Sequence, residues 1–565
     1  MKKKWLVKQS NNIGVNLPEY PGMVSKLLAL RGITDQQQIH DYLNPDYSKL
    51  IDPFIFKDMD KSCQRIWGAI DKKEKIVIYA DYDADAITAS SVLTLGLRKL
   101  GATVDCYIPD RFTEGYGMNL EAIQKVKQDG ANLMITVDCG TNSVAEAKLC
   151  REIGLDLIIS DHHEITGQLP EAYTLINPKN PEDLYPFKYL TGVGVAFKII
   201  QALFSNSART SAAGVIPGWE KWLLDLVAIG TVADLQSLTS ENRIMVYYGL
   251  QVLNKTRWPG LRALLDTAKF KPGKFTTHTL GFVVAPRINA AGRIKHADVA
   301  YKMLISDNII EAQNYAMELE GLNLHRQQLT EQILSEAREQ ILLVSDKKVL
   351  LASGANWPKG VVGLVAGKLA EEFGKPVLIM DRGELQATGS ARSHPNFDIV
   401  KALTYSKDLL EKYGGHTQAA GFTLRSDKIE SLYMKLLEFA ETFAPDDSGP
   451  VLEIDAEMSS TDLNWETYEL IEKFEPFGIG NPRPKFLGKS LQLVDCRTVG
   501  ADSQHLKLRA LWNGKVAEAI AFKQGYLTAK LKPGSSFDAV FEVEANEWNG
   551  HKDLQLKIID INILE

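Results

Sequence analysis

The sequence lacks the cysteine pairs that indicate a disulfide framework or a thiolate metal site. Its 565 residues include five cysteines, and no two of them are spaced as a Cys-x-x-Cys pair. Disulfide-rich scaffolds and structural zinc sites both depend on such cysteines. A reducing compartment suits this chain best, so the sequence predicts a cytoplasmic protein.

The sequence also lacks long uncharged apolar runs, low-complexity tracts and an excess of positive charge. The basic start MKKKWLVKQSNN is not followed by the apolar segment of a signal peptide. The 64 Lys and Arg residues are outnumbered by 71 Asp and Glu residues, which gives a formal net charge of −7. The sequence predicts no membrane partner, and a polyanion would have to be bound by locally concentrated basic groups.

The apolar pattern instead predicts a globular α/β protein. Between residues 75 and 240, longer stretches of helical spacing separate the short runs IVIYA, LMITV and LDLIIS. Near-continuous apolar runs are typical of parallel strands that are covered on both faces. This alternation predicts a doubly wound parallel sheet.

The rest of the chain divides into segments with different sequence patterns. A proline-free stretch from Asn308 to about Val344 has helical spacing, which fits a rigid connector or a core helix. Two Trp-Asn-Gly triplets, at 512–514 and 548–550, lie between alternating runs and predict hairpins of a small OB-type barrel. We predict five parts. An N-terminal extension at 1–50 packs on the α/β domain at 51–305, which we call the catalytic domain. A connecting helix at 306–345, a smaller α/β domain at 346–447 and an OB-type domain at 448–565 follow.

Polar residues follow several of the predicted elements at the point where each one ends. They are Asp81, Asp83 and Asp85 after IVIYA, Asp138 after LMITV, Asp161-His162-His163 after LDLIIS, and Asp234 in GTVADL. Open α/β sheets bind ligands beyond the carboxyl ends of their strands, so we expect these groups to converge in one crevice.

Carboxylates with one or two imidazoles, and without thiolates, suit Mn²⁺ or Mg²⁺. Two such ions bridged by a shared carboxylate would activate water and neutralise a phosphoryl group. Taken singly, Asp138 or Asp234 is more often a helix cap or turn residue, and His162 a structural histidine. The conjunction of these groups at successive strand ends favours a metal site.

Eight segments of the chain carry a resemblance to a known family. DYDAD, VDCG, DHH and GTVADL, in this order, resemble the motifs of the DHH phosphoesterase superfamily. RFTEGYG, PRINAAGR, GGHTQAAGF and PFGIGNPRPKF resemble a family of single-strand-specific exonucleases within it, over nearly the whole chain. The resemblance implies a DHH domain, a DHH-associated domain, and metal-dependent hydrolysis of single-stranded DNA from its 5′ end to 5′-mononucleotides in DNA repair and recombination.

The same resemblance implies two divalent cations, Mn or Mg, and single-stranded DNA as the partner. A single-strand-binding protein or a helicase is the protein partner that we expect, and we expect a monomer. Carried over by motif, the metal ligands are Asp83, Asp85, Asp138, His162 and Asp234, with Asp138 as the bridge. These five residues and His163 form the catalytic set. Asp81 is either a ligand or a turn residue. His163 is either a ligand or a contact to phosphate.

Five residues are implied to bind the substrate. Ser390 and Arg392 of GSARS, and Gly415 and His416 of GGHTQAAGF, would hold the terminal phosphate and the nearby backbone. Arg287 of PRINAAGR is a further phosphate-binding residue or, alternatively, makes a surface ion pair or a helix-capping contact. Arginine suits this task because its planar fork binds phosphate oxygens in pairs.

The chain departs from the family pattern at Ala80 and Ala285, where Gly is common, and at Ala86 and Pro358. Ala86 stands where the family commonly has Gly, and a positive φ there would cost an alanine roughly 1 kcal/mol. Pro358 follows Trp357 where the family commonly has His, so this loop is not expected to supply an imidazole.

Two other functions stay open at the level of sequence. A phosphodiesterase for short oligonucleotides or cyclic dinucleotides would use the same metal site, but would not need a C-terminal barrel. A catalytically silent scaffold that binds single strands during replication would not need the full set of metal ligands.

Overall fold

The computed structural model describes residues 3–9, 19–115, 117–270, 273, 275–394, 397–442, 451–548 and 550–564. The α-helices are α1 Gly22–Leu30, α2 Gln36–Leu43, α3 Met59–Asp71, α4 Ala84–Lys99, α5 Leu120–Gln128, α6 Val144–Glu152, α7 Gly192–Phe204, α8 Ser207–Ala212, α9 Leu224–Ala233, α10 Ser240–Leu253, α11 Pro259–Thr267, α12 Thr277–Thr279, α13 Ala285–Ile294, α14 Asp298–Ile305, α15 Ile309–Leu342, α16 Lys359–Phe373, α17 Ile399–Tyr405, α18 Ile429–Glu441 and α19 Trp465–Glu472.

The strands are β1 Lys4–Val7, β2 Lys75–Ala80, β3 Thr103–Tyr107, β4 Leu133–Val137, β5 Asp156–Ser160, β6 Thr174–Ile176, β7 Leu350–Gly354, β8 Val377–Arg382, β9 Gln386–Arg392, β10 Leu410–His416, β11 Ala419–Arg425, β12 Val451–Ile454, β13 Ala456–Glu457, β14 Phe486–Val499, β15 His505–Trp512, β16 Lys515–Ala521, β17 Ser536–Trp548 and β18 His551–Ile563. Within the described residues, no helix has the length and apolar character that a membrane crossing needs.

The chain forms two compact units, one of Lys49–Asp446 and one of Met1–Ser48 with Asp447–Glu565. The N-terminal extension therefore belongs to the unit of the C-terminal barrel, which corrects the expectation that it packs on the catalytic domain. The apolar face of α1, including Leu27 and Leu28, is part of the barrel's core, and β1 pairs in parallel with β12. Helical periodicity shows that α1 has an apolar face, but it cannot show which core that face joins.

The sheet of the α/β domain predicted at 51–305, which we call the catalytic sheet, has the order β3-β2-β4-β5-β6. All its strands are parallel. This confirms the predicted doubly wound sheet. The chain moves from β2 to β3 on one side and continues with β4, β5 and β6 on the other. The loops after β2 and β4 diverge at this switch point, which opens the crevice where such sheets bind ligands.

The smaller α/β domain has a mixed sheet of order β10-β11-β9-β8-β7, in which only the β7–β8 pair is parallel. Helix α15 precedes it, and Asn308 caps that helix by accepting from the N–H groups of Ile310 and Glu311. The C-terminal half of α15 is buried against β7 and α16, through Ile333 and Ile341 among others. The helix is thus both the predicted connector and a core helix of the domain that it leads into.

The C-terminal unit contains a barrel of β14, β15, β16, β18 and β17, closed by pairing between β14 and β17. A two-residue turn joins β15 to β16, where Asn513 and Gly514 have φ values of 47° and 81°. Positive φ at both positions is the hairpin geometry that Asn-Gly favours, so this prediction is confirmed. Asn549 of the second triplet and the predicted boundary segment at 443–450 lie outside the described residues.

Candidate metal centre and anion-binding face

The polar strand ends converge at the switch point of the catalytic sheet, as the sequence predicts. His162 Nε2 lies 3.0 Å from Asp138 Oδ1 and 3.8 Å from both Asp85 Oδ2 and Asp234 Oδ2. Two groups have potential ligand atoms within 4.8 Å of one another: Asp138, His162 and His163, and Asp85, His162 and Asp234. We call these five residues the metal centre; they come from the first turn of α4, from the ends of β4 and β5, and from the end of α9.

The other two aspartates of DYDAD lie outside these two groups. Asp83 is the N-cap of α4, and its Oδ1 accepts from the N–H groups of Asp85 and Ala86 at 2.9 and 3.1 Å. Asp81 is buried just after β2. The structure therefore gives the three aspartates different surroundings, and only Asp85 projects directly onto His162.

Backbone groups hold Asp85 in place. Its Oδ2 accepts from Gly192 N at 2.6 Å and its Oδ1 accepts from Val193 N at 2.9 Å, which satisfies the first N–H groups of α7. The carboxylate thus lies at a helix N-terminus, where the backbone dipoles favour negative charge. The helix start is formed by Thr191, whose Oγ1 accepts from Gly194 N.

Two glycines make room for the metal centre, and the sequence analysis did not single them out. A Cβ on Gly192 would lie 2.7 Å from Asp138 Cβ, and a Cβ on Gly230 would lie 2.8 Å from Asp85 Oδ1 and 2.3 Å from Thr88 Oγ1. Neither clash can be relieved without moving an aspartate or a helix. A glycine directly after the capping Thr191 was the available sequence signal.

Asp161 positions both histidines, and it is a functional residue that the sequence analysis quoted without assigning a role. Its Oδ1 accepts from His162 N at 2.7 Å and lies 2.7 Å from His163 Nδ1, while its Oδ2 accepts from Thr141 N. Burial opposes the charged form, but the hydrogen bond with His163 holds the pKa of Asp161 well below its usual range. Burial lowers the pKa of His163, and the bond to Asp161 outweighs this and raises it to about 9.

The carboxylates of the site repel one another. Burial, together with Asp234 and Asp83, raises the pKa of Asp85 well above its usual range, and burial with Asp85 does the same for Asp138. Burial and Asp83 raise the pKa of Asp81 to about 8 and that of Asp234 to about 6. The site as folded is therefore short of positive charge.

The residues present fit divalent cations. One oxygen each of Asp81, Asp138 and Asp234 is buried without a hydrogen-bond partner among the described residues. Burial and the neighbouring His163 lower the pKa of His162 to about 3, so its imidazole is neutral, as metal ligation requires. Oxygen ligands with a neutral imidazole match Mn²⁺ or Mg²⁺.

The departures from the family pattern at Ala86 and Pro358 cause no strain. Ala86 is a buried residue in the first turn of α4 and has no positive φ, so an alanine fits there. Pro358 is the N-cap of α16, and its carbonyl oxygen accepts from Val361 N at 2.8 Å. Trp357 is buried, and its Nε1 donates to Glu336.

Two substrate residues predicted from sequence share one face of the smaller sheet. Ser390 and Arg392 are two residues apart on β9, and Arg392 Nη1 donates to Ser390 Oγ at 2.8 Å. His416, on the edge strand β10, lies in the same cross-strand row as Arg392, separated by one residue of β11. Gly414 and Gly421 occupy the row of Ser390, and a Cβ on either would meet open space. We call Ser390, Arg392 and His416 the anion face.

Backbone conformation explains why residue 415, which the sequence predicts as a substrate residue, is a glycine. Gly415 has a φ of 148°, and a Cβ there would lie 2.3 Å from Ala419 O. The positive φ and the close approach of Ala419 O therefore account for a glycine at this position of β10.

Arg287 makes the ion pair that the sequence left as its alternative. Its Nε lies 2.5 Å from Glu320 Oε2 on α15, and its Nη1 donates to Val283 O at 2.8 Å. Other residues of PRINAAGR serve the catalytic site. Asn289 Oδ1 accepts from Ala84 N at the start of α4, and a Cβ on Gly292 would lie 2.7 Å from Tyr82 O.

A cluster of arginines lies between the catalytic and the smaller α/β domains, and the sequence analysis found only Arg392 of it. Burial and the charges of Arg111, Arg326 and Arg392 lower the pKa of Arg293 to about 10, opposed by Asp83. Arg326 on α15 has a buried Nε without a hydrogen-bond partner in the described part of the chain. Arg293 Nη1 donates to Gly360 O, where α13 contacts α16. We call these four residues the arginine cluster; their positive charges repel one another.

Comparison with known proteins identifies three family domains in this chain. Family models match residues 75–231 as the DHH family, N-terminal domain, 346–443 as the DHHA1 domain and 454–560 as the RecJ OB domain. The chain is 39% identical over 547 residues to the single-stranded-DNA-specific exonuclease RecJ of Bacillus subtilis, covering 96% of this chain and 68% of that protein. It is 30% identical over 564 residues to RecJ of Escherichia coli, covering 96% of each.

Solved structures give the same result. The crystal structure of RecJ from Thermus thermophilus in complex with Mn²⁺ is similar with a TM-score of 0.83 and 28% sequence identity, covering 100% of this chain and 80% of that one. Because it matches the DHH, DHHA1 and RecJ OB domain models and is 39% and 30% identical to these two relatives, the chain belongs to the RecJ family of single-stranded-DNA-specific exonucleases.

Proposed function

We propose that this protein is a metal-dependent exonuclease that degrades single-stranded DNA from its 5′ end and releases 5′-mononucleotides. The observation that carries the proposal is the metal centre, in which two groups of acidic and imidazole ligands share His162 at the switch point of the sheet. Its membership of the RecJ family supports single-stranded DNA as the substrate.

We assign the cations, Mn²⁺ or Mg²⁺, to Asp83, Asp85, Asp138, His162 and Asp234, with Asp138 as the shared ligand. When bound, they would activate water and neutralise charge on the phosphoryl group. The unpartnered oxygens of Asp138 and Asp234, and the neutral imidazole of His162, support this assignment. Asp81 Oδ1 is also buried without a hydrogen-bond partner among the described residues, so we assign Asp81 to the same site, as a ligand or a turn residue.

The residues around the metals act by holding charge and orientation. Asp161 accepts from His163 Nδ1, which fixes the orientation of the imidazole ring, and we assign this ring to contact with a phosphate oxygen. The hydrogen bond with Asp161 outweighs burial and raises the pKa of His163, which favours a ring that donates to that oxygen. Preorganised donors of this kind stabilise the charge that develops as the phosphodiester bond breaks.

The anion face and the arginine cluster would hold the 5′ end of the strand. Arg392 is already oriented by Ser390, and the glycine floor beside Ser390 leaves space for a phosphate and its sugar. Buried guanidinium groups that repel one another gain a partner when a terminal phosphate binds. For Arg287, contact with phosphate requires that its guanidinium leave Glu320.

The compartment, oligomeric state and protein partners are inferred from the substrate and from the cysteines, not from the geometry of the metal centre. We propose a cytoplasmic monomer that works in DNA repair and recombination with a single-strand-binding protein or a helicase, because resection of a 5′ strand requires a single-stranded substrate. The free cysteines of the chain support a reducing compartment.

The test uses single strands labelled at the 5′ or the 3′ end, incubated with Mn²⁺, Mg²⁺ or EDTA beside an Asp138→Ala variant. We expect release of labelled mononucleotide from the 5′ end first, only with metal and only by the parent protein. Release from 3′ ends would contradict the polarity, release confined to very short oligomers would favour a phosphodiesterase, and no release would leave a binding scaffold.

A further inference from the structure

A widened helical turn lies beside the metal centre. Residues Leu280–Val284 form a π-helix between α12 and α13. A Cβ on Gly281 would lie 3.5 Å from Val232 Cγ1, and Val232 is two residues before Asp234 of the metal centre. Single π-helical turns inside α-helices occur frequently at functional sites.

This turn displays an aromatic pair to solvent. The rings of Phe282 and His278 are stacked, with centroids 4.6 Å apart and an interplanar angle of 22°. Phe282 is 72% exposed, and His278 is exposed as well. Leu235, directly after Asp234, is also largely exposed. An aromatic ring this exposed contributes little to a core, and this one is already backed by a second ring.

The turn is held rigidly in place. Arg287 Nη1 donates to Val283 O at 2.8 Å, and its Nε is paired with Glu320 of α15. The neighbouring Leu280 and Val284 are buried on the opposite side of the turn. Phe282 therefore projects from a fixed backbone, which lowers the entropy lost when a flat ligand stacks on its ring.

We propose that Phe282, supported by His278, is a stacking platform for a nucleobase of the single strand next to the metal centre. This inference rests on the proposed function, because it takes single-stranded DNA as the ligand. Stacking on an aromatic ring tolerates any sequence, since every base has a π face, and a paired base inside a duplex does not offer that face. Phe282 is a positioning residue: it fixes the strand while the metal centre acts on the phosphate.

The test compares Phe282→Leu, Phe282→Tyr and the control Phe54→Leu, which changes another exposed phenylalanine outside the metal centre. Affinity for a 5′-phosphorylated oligo(dT) is measured by fluorescence anisotropy in EDTA, so that hydrolysis does not interfere. We expect Phe282→Leu to weaken binding roughly ten-fold. Phe282→Tyr keeps a π face and should stay within about two-fold of the parent, as should Phe54→Leu.

A second readout locates the stacked base. Strands that each carry one abasic site, moved stepwise from the 5′ end, are hydrolysed with Mn²⁺. The parent should show a raised KM at one position, and Phe282→Leu should be insensitive to the abasic site at that position. A structural role of Phe282 would not produce this position dependence.

Each outcome bears on the proposal. Equal affinity of Phe282→Leu and the parent, with equal melting temperatures, would overturn it. Unchanged DNA affinity with lost self-association of Phe282→Leu in sedimentation would also overturn it, and would assign the ring to a protein contact. A parent that binds DNA but does not hydrolyse it would refute the proposed function while the binding comparison still decides the platform. A parent that does not bind DNA would overturn both.

Discussion

The metal centre and the anion face are built on the two sheets of the same unit, and they are fixed in different ways. In the metal centre Asp85 and Asp138 are buried, and the carboxylate of Asp85 accepts from Gly192 N and Val193 N. The anion face is open, with glycines beside Ser390 and an exposed His416. One site gathers negative charge and the other gathers positive charge. The contrast indicates that the first site fixes the position of its ligands, whereas the second leaves room for a variable strand.

The largest effect should come from the centre of the acidic site. Asp138→Asn keeps a residue that tolerates the φ of 60° found there, but removes one of the repelling charges. We expect activity to fall at least about a thousand-fold, because a shared metal ligand is lost. The melting temperature in EDTA should rise by a few degrees, since the pKa of Asp138 shows that its charged form is disfavoured in the fold.

Activity assays and calorimetry with and without Mn²⁺ check this prediction. Metal should stabilise the parent but not Asp138→Asn. A variant that keeps its metal-induced shift would place the essential ligands elsewhere.

The second test concerns the steric fit of the metal centre. Gly192→Ala would place a Cβ 2.7 Å from Asp138 Cβ, so either the helix or the aspartate must move. We expect a loss of about 2–4 kcal/mol in the free energy of unfolding and a loss of about a hundred-fold in activity. Urea unfolding and initial rates measure the two effects.

The matched control is Gly367→Ala in α16, where a Cβ meets no atom within 4 Å. Alanine is the better helix former, so this variant should gain up to about 1 kcal/mol with full activity. Similar behaviour of the two variants would show that helical glycines, rather than the contact with Asp138, decide the result.

The third test addresses the anion face. Arg392→Ala should raise KM for 5′-phosphorylated strands roughly ten- to thirty-fold and leave KM for 5′-hydroxyl strands much less affected. Arg392→Lys should rescue only part of the loss, because an ammonium lacks the planar fork that Ser390 orients. Steady-state kinetics on matched 5′-phosphoryl and 5′-hydroxyl oligonucleotides provide the comparison, and an equal change on both substrates would contradict recognition of the terminal phosphate.

The smallest effect is a pH dependence of stability in the metal-free protein. Asp81 and His163 have pKa values raised to about 8 and about 9, so the stability that they contribute is present at lower pH and is lost as pH rises through those values. The pKa of His162 is lowered, so its titration changes stability only below its usual pKa of about 6.5. It does not contribute to the loss of stability at higher pH.

Thermal melts in EDTA should therefore show falling stability from pH 7 to pH 9. Saturating Mg²⁺ should flatten the profile, because bound cations stabilise the carboxylates in their charged form. A rise in stability over the same range without metal would contradict the charge deficit of the site.

Sequence reasoning succeeded where chemistry and local pattern coincide. Asp85, Asp138, His162 and Asp234 lie at element ends, where a parallel sheet gathers polar groups, and Asn513-Gly514 sets its own turn. It did not find Arg293 or Arg326, because an arginine in a helix usually lies on a solvated face, and only tertiary packing buries these two. The role of Gly192 was also out of reach, because it depends on a contact with a residue 54 positions earlier in the chain. Asp83 stays a predicted metal ligand, and the structure adds its role as the N-cap of α4.

The pairing of β1 with β12 has a consequence for how the chain is made. Residues 4–7 leave the ribosome early, yet their partners at 451–454 and the barrel that receives α1 are synthesised more than 400 residues later. The catalytic unit can therefore complete its fold while Leu27 and Leu28 still lack the core that buries them, a period in which exposed apolar surface promotes association. A rearranged gene in which residues 447–565 precede residues 1–48 would make this unit contiguous and shorten that wait.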